Sequence, residues 1–79
     1  MQSYEYIIST DKYNIDFINK VVEAYEGLGI IRTLDRKEGL IKLLTNTYFI
    51  NDVNLLIEKF KKHGIKINVL EERVWEGEL

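Results

Sequence analysis

Tyr4-Glu5-Tyr6-Ile7-Ile8-Ser9 sets aromatic and β-branched residues in partial alternation and runs into the polar Thr10-Asp11-Lys12, a pattern that predicts a first strand. From Ile15 the period changes. Ile18, Val21, Val22, Tyr25 and Leu28 recur at spacings of three and four, the stripe of an amphipathic helix, with Asn14 placed to cap its start and Gly27 and Gly29 to end it. Residues 30 to 35 and 40 to 45 read as two strands joined by Arg36-Lys37-Glu38-Gly39, a loop short enough to make them an antiparallel hairpin. Thr47 can cap a second helix whose stripe is Phe49, Val53, Leu56, Ile57 and Phe60. Lys59, Lys61, Lys62 and His63 complement the negative end of its dipole, and Gly64 closes it. Ile65-Lys66-Ile67-Asn68-Val69-Leu70 then alternates as a half-buried fourth strand, and 71 to 79 follows as a strand extension or a docked acidic tail.

This order, β-α-β-β-α-β, predicts a single α+β domain over 1 to 79, a ferredoxin-like sandwich. Right-handed crossovers place both helices on one face of a four-stranded antiparallel sheet of order 4-1-3-2. The other face is then left without a layer. If Asp35 pairs with Leu40 in a regular ladder, Leu34 faces Ile41 and Arg32 faces Leu43 toward the helices, while Ile31 faces Leu44 on the open side. Strand 1 stays open in this scheme, because Tyr6, Ile7 and Ile8 are consecutive. The expected open-face interface is Ile31, Leu40, Leu44, Leu70 and Trp75. Such a face presents roughly 300 to 600 Å² of apolar surface, the upper end of what a soluble monomer carries.

Composition turns that face into a question about partners. The 79 residues are 46% hydrophobic, yet a chain this short buries only ~60 to 65% of its unfolded surface, so association becomes the expected source of further burial. A homodimer or higher oligomer is the expectation, with a small molecule or another protein as a further partner. A net charge of -2 argues against a phosphate-backbone binder. The absence of cysteine excludes disulfides and thiolate metal sites. Apolar runs of three residues, such as Tyr6 to Ile8, are far below the ~20 that span a bilayer, and Met1-Gln2-Ser3-Tyr4-Glu5 lacks the form of a signal peptide. The expected location is the cytoplasm.

Candidate chemistry is sparse. His63 is the only histidine and is explained by its helix terminus, so neither a histidine metal site nor a catalytic triad is expected. Gly27-Leu28-Gly29 follows a helix, whereas a dinucleotide loop precedes one. Glu71-Glu72 reads as solvated charge, and no catalytic residue or cofactor is assigned. Tyr25, Glu26 and Gly27 at the end of helix 1, with Arg32, Thr33 and Asp35 on strand 2, form the one ionisable and aromatic group that could recognise a small anion. An enzyme acting on an anionic substrate would use Tyr25, Glu26, Arg32 and Asp35. An RNA-binding domain would need Tyr4 and Tyr6 on a basic open face, although strand 3 has no aromatic residue to join them.

Ala-Tyr-Glu-Gly-Leu-Gly-Ile-Ile-Arg-Thr-Leu-Asp at 24 to 35, followed by Gly-Leu-Ile-Lys-Leu-Leu opening at Gly39, resembles a family of short uncharacterised bacterial proteins over nearly the whole chain. That family implies no known activity. The wider layout looks like ferredoxin-like and ACT-type domains, the latter regulatory modules that bind amino acids at paired interfaces. Their Asp, Pro, Gly turn between strand 1 and helix 1 is represented here by Asp11-Lys12-Tyr13-Asn14, which keeps the Asp alone.

Overall fold

The structure is a computed structural model and describes residues 2 to 76. Strand β1 (Ser3–Ser9) leads through a 3-10 turn (Lys12–Asn14) into helix α1 (Ile15–Ala24). The hairpin β2 (Ile30–Asp35) and β3 (Leu40–Asn46) follows, then a second 3-10 turn (Thr47–Phe49), helix α2 (Ile50–Lys62) and strand β4 (Asn68–Val74). The sheet order is β2-β3-β1-β4 with every pair antiparallel, which is the expected 4-1-3-2 arrangement read from its other edge. Ile15, Ile18 and Val22 of α1 and Val53, Leu56, Ile57 and Phe60 of α2 form one core with Tyr6, Ile8, Ile31, Ile41 and Leu43 of the sheet. Among the described residues no helix is long and apolar enough to cross a membrane.

Element ends differ from the sequence reading for local reasons. Helix α1 stops at Ala24 because Tyr25 N–H turns back to the Val22 carbonyl and Gly27 takes a left-handed φ of 79°, so Leu28 reaches the core from a loop. Asn46, not Thr47, caps the turn into α2: its side chain accepts from the Tyr48 N–H at 2.9 Å. Strand β4 begins at Asn68, yet Ile65 and Ile67 still pack on the core as extended chain. Residues 71 to 74 extend the strand, Trp75 N–H donates to the Ser3 carbonyl at 2.9 Å, and 77 to 79 lie outside the described residues.

The hairpin register corrects the face assignments. Asp35 does pair with Leu40, but a bulge at Leu34 makes the next pairs Thr33 with Ile41, Arg32 with Lys42, Ile31 with Leu43 and Ile30 with Leu44. A strand alternates its side chains with period two, so one extra residue exchanges the faces of everything beyond it. Ile31, expected on the open face, is therefore in the core, 9% exposed. Arg32, expected on the helix side, stands on the helix-free face in the register of Lys42. Strand β1 resolves with Tyr6 and Ile8 inward and Glu5 and Ile7 outward, and a second bulge places Leu70 without a ladder partner between Val69 and Glu71.

Candidate functional site

Register defines the helix-free face as rows running across the sheet. One row is Arg32, Lys42, Ile7 and Glu71, and the next is Ile30, Leu44, Glu5 and Arg73, each in the order β2, β3, β1, β4. Near the middle lies Glu5, only 2% exposed although no helix covers it. Removing a carboxylate from water costs several kcal/mol unless it is paired. Lys42 Nζ stands 3.5 Å from Glu5 Oε1 and Arg73 Nη2 2.6 Å from Oε2, so both oxygens meet a cation. Arg73 also bonds Glu71 through Nη1. That hydrogen bond and the two nearby carboxylates raise the guanidinium above its ordinary value, against a smaller opposing effect of desolvation. The Lys42 ammonium lies 5.6 Å from the Trp75 ring centroid, which ties the indole to the same cluster.

Around this ionic centre apolar side chains share the face with Arg32, Ser9 and Asn68. Ile7, Leu40, Leu44 and Trp75 are half-buried and Ile30 is exposed, so three of the five expected interface residues, Leu40, Leu44 and Trp75, do line it. Ile31 does not, and Leu70 stands exposed on the β4 bulge. Both edge strands, β2 and β4, carry a bulge that interrupts the regular row of free N–H and C=O groups. Such interruptions discourage strand-to-strand pairing at an edge. Sequence reasoning passed over Glu5, whose signal was a single carboxylate flanked by Tyr4 and Tyr6 in a central strand with Lys42 diagonally opposite.

The expected anion-binding group is divided by the fold. Tyr25 and Glu26 line a groove of about 670 Å³ beside α2 together with the apolar Leu28, Phe49, Leu55 and Leu56, the carboxylates of Asp52 and Glu58 and the ammonium groups of Lys59 and Lys62. Gly27 borders a separate, smaller hollow next to Gly29 and Leu44. Arg32 is on the opposite side of the sheet and makes no ion pair among the described residues. Thr33 is exposed across from Ile41, and Asp35 is occupied in the hairpin turn, accepting from the Glu38 N–H at 3.2 Å. Tyr4 and Tyr6 lie on the helix side: Tyr6 is fully buried and the Tyr4 hydroxyl donates to Glu72 at 3.0 Å, so neither is free to stack a base on the open face. His63 Nδ1 is 2.9 Å from the Lys59 carbonyl, a helix-terminus contact. No group of three potential metal-ligating side chains occurs among the described residues.

A family model described as Domain of unknown function (DUF4911) matches residues 10–63. The chain belongs to this family. The DUF4911 match runs from the end of β1 through α2, so it takes in the hairpin and the helix-side groove, while Glu5, Arg73 and Trp75 lie beyond its limits. No curated protein and no solved structure gives a significant match.

Proposed function

We propose that this chain is a non-enzymatic cytoplasmic module that self-associates through the helix-free face of its sheet and serves an ACT-like regulatory role. The observation that carries the reading is the composition of that face: Ile7, Ile30, Leu40, Leu44 and Trp75 stand around a cluster of Glu5, Glu71, Lys42 and Arg73 whose two carboxylates and two cations balance within the chain. Covering such a face removes apolar surface from water and leaves no carboxylate unpaired, which is the condition for a favourable interface. Bulges at both edges favour face-to-face stacking over edge pairing. Four strands of about seven residues project to roughly 400 Å² per copy, small beside the ~800 Å² per partner of a standard interface. An interface of that size belongs to the weak, transient end of the range.

Leu44→Lys places a charge at the middle of that face and is expected to weaken self-association at least about tenfold, read by sedimentation across a concentration series. Wild-type protein that remains strictly monomeric at high micromolar concentration would sink the proposal.

The groove beside α2 supports a second element of the reading, binding of a small ligand through Tyr25 and Glu26. Its volume falls within the ~300 to 1,000 Å³ of small-molecule sites, and it combines apolar side chains with charged groups. A saturating ligand from a metabolite panel is expected to raise the melting temperature by several degrees, and Tyr25→Ala to remove that rise. Catalysis on an anion has less support, because Tyr25, Glu26, Arg32 and Asp35 do not share a pocket.

A further inference from the structure

We infer that two copies stack their helix-free faces about a twofold axis parallel to the strands, so that Arg32 of each copy meets the partner's Glu71. The inference rests on the self-association proposed above and specifies its geometry.

Arg32 and Glu71 occupy opposite ends of one row across the sheet, on edge strands β2 and β4. In an isologous dimer every contact occurs twice, with residue i against j and j against i. An axis along the strands, running between β3 and β1, lays β2 of one copy over the partner's β4 and β3 over the partner's β1. Arg32 then stands over Glu71 at both ends of the row, and Lys42 over Ile7 near the middle. The next row sets Ile30 over the partner's Arg73. Stacked sheets lie ~10 Å apart, a gap that an Arg and a Glu side chain close from the two sides.

The alternative axes do worse. An axis across the strands along the same row puts Arg32 on Arg32, Lys42 on Lys42 and Glu71 on Glu71, like charge on like charge. Shifted by half a row, it sets Glu71 against the partner's Arg73, a partner Glu71 already has in its own chain, and leaves Arg32 against Ile30. Arg32, by contrast, is exposed and has no ion pair among the described residues, and the Glu71 side chain is 59% exposed with only Oε2 engaged by Arg73. Charge complementarity therefore selects the axis along the strands.

The test is a charge exchange followed by sedimentation. Arg32→Glu and Glu71→Arg are each expected to weaken the dimer about tenfold, and the double variant to bind more tightly than Glu71→Arg alone, because the intermolecular pair is remade in reverse while the intrachain bond to Arg73 stays lost. Losses that simply add in the double variant would overturn the axis. A second measurement uses the absence of native cysteine. Arg32→Cys mixed with Glu71→Cys should cross-link through a short bis-maleimide into a mixed dimer, whereas each variant alone should not. Self-cross-linking of either variant alone would indicate an axis across the strands. A wild-type protein that never dimerises would overturn the self-association reading beneath; a dimer as tight in Arg32→Glu as in wild type would overturn only the geometry.

Discussion

Replacing Gly39 with alanine is expected to destabilise the fold by at least about 3 kcal/mol, a large share of the ~4 to 12 kcal/mol that a chain of this size holds. Gly39 has φ 68°, a conformation L residues rarely adopt, and a Cβ there would lie 1.9 Å from the Thr10 carbonyl oxygen and 2.9 Å from its carbon. Both obstacles are backbone, so no side-chain rotation relieves them. The turn would have to lift from the end of β1, giving up the Thr10 N–H bond to the Gly39 carbonyl at 2.8 Å and exposing Thr10, which is 3% exposed in the fold. Gly27→Ala separates the two causes. Gly27 has φ 79° with nothing within 4 Å of its would-be Cβ, so only the dihedral penalty of ~1 kcal/mol remains. Urea titrations of the two variants should therefore differ clearly in midpoint; equal midpoints would show that the close approach to Thr10 carries no energy.

The architecture was legible because each element announces itself by period. Ile18 and Val22, or Val53, Leu56, Ile57 and Phe60, admit a helix and nothing else, and a four-residue loop admits only a hairpin. What periodicity cannot carry is an inserted residue. Arg32-Thr33-Leu34-Asp35 contains no glycine or proline to mark its bulge, and without that mark a regular ladder is the natural reading, which sends Ile31 outward and Arg32 inward. The close packing of Ile31 against Leu43 in the core decides the matter, and that is a tertiary effect.

The candidate site was legible only in outline. An uncovered sheet face follows from the element order, and Leu40, Leu44 and Trp75 were identifiable on it. Its ionic centre was not, since Glu5, Lys42 and Arg73 are 68 residues apart at the extremes and a lone Glu in a strand ordinarily reads as a solvated position. Only the pairing of β1 with both β3 and β4 brings the two cations to one carboxylate. The same distance effect ran the other way for Tyr25, Glu26, Arg32 and Asp35. They are close in sequence, but Gly27 turns the chain and the bulge assigns Arg32 to the face opposite the groove.

Tyr6→Ala is expected to cost about 3 to 5 kcal/mol, enough to unfold much of the population. Tyr6 is 0% exposed on the central strand, its ring meets that of Tyr4 edge-on at 5.4 Å between centroids, and its hydroxyl donates to Asn54 Oδ1 at 3.0 Å, joining β1 to α2. Tyr6→Phe keeps the ring and loses the hydroxyl, and because Asn54 is exposed and can turn to water the cost should be only about 1 kcal/mol. The pair also predicts an alkaline transition. Burial, with smaller contributions from Glu72 and Tyr4, pushes the Tyr6 hydroxyl up to about 12. An unfolded tyrosine titrates near ~10, so the native state holds this proton more tightly than the unfolded chain does. The resulting stability is complete below pH ~10 and is lost as pH rises toward 12, by on the order of 1 to 2 kcal/mol. Urea midpoints measured from pH 8 to 12 should fall more steeply in wild type than in Tyr6→Phe, which shares every other alkaline titration. Parallel curves would mean that Tyr6 ionises as readily folded as unfolded, and that the hydroxyl is not held between β1 and α2.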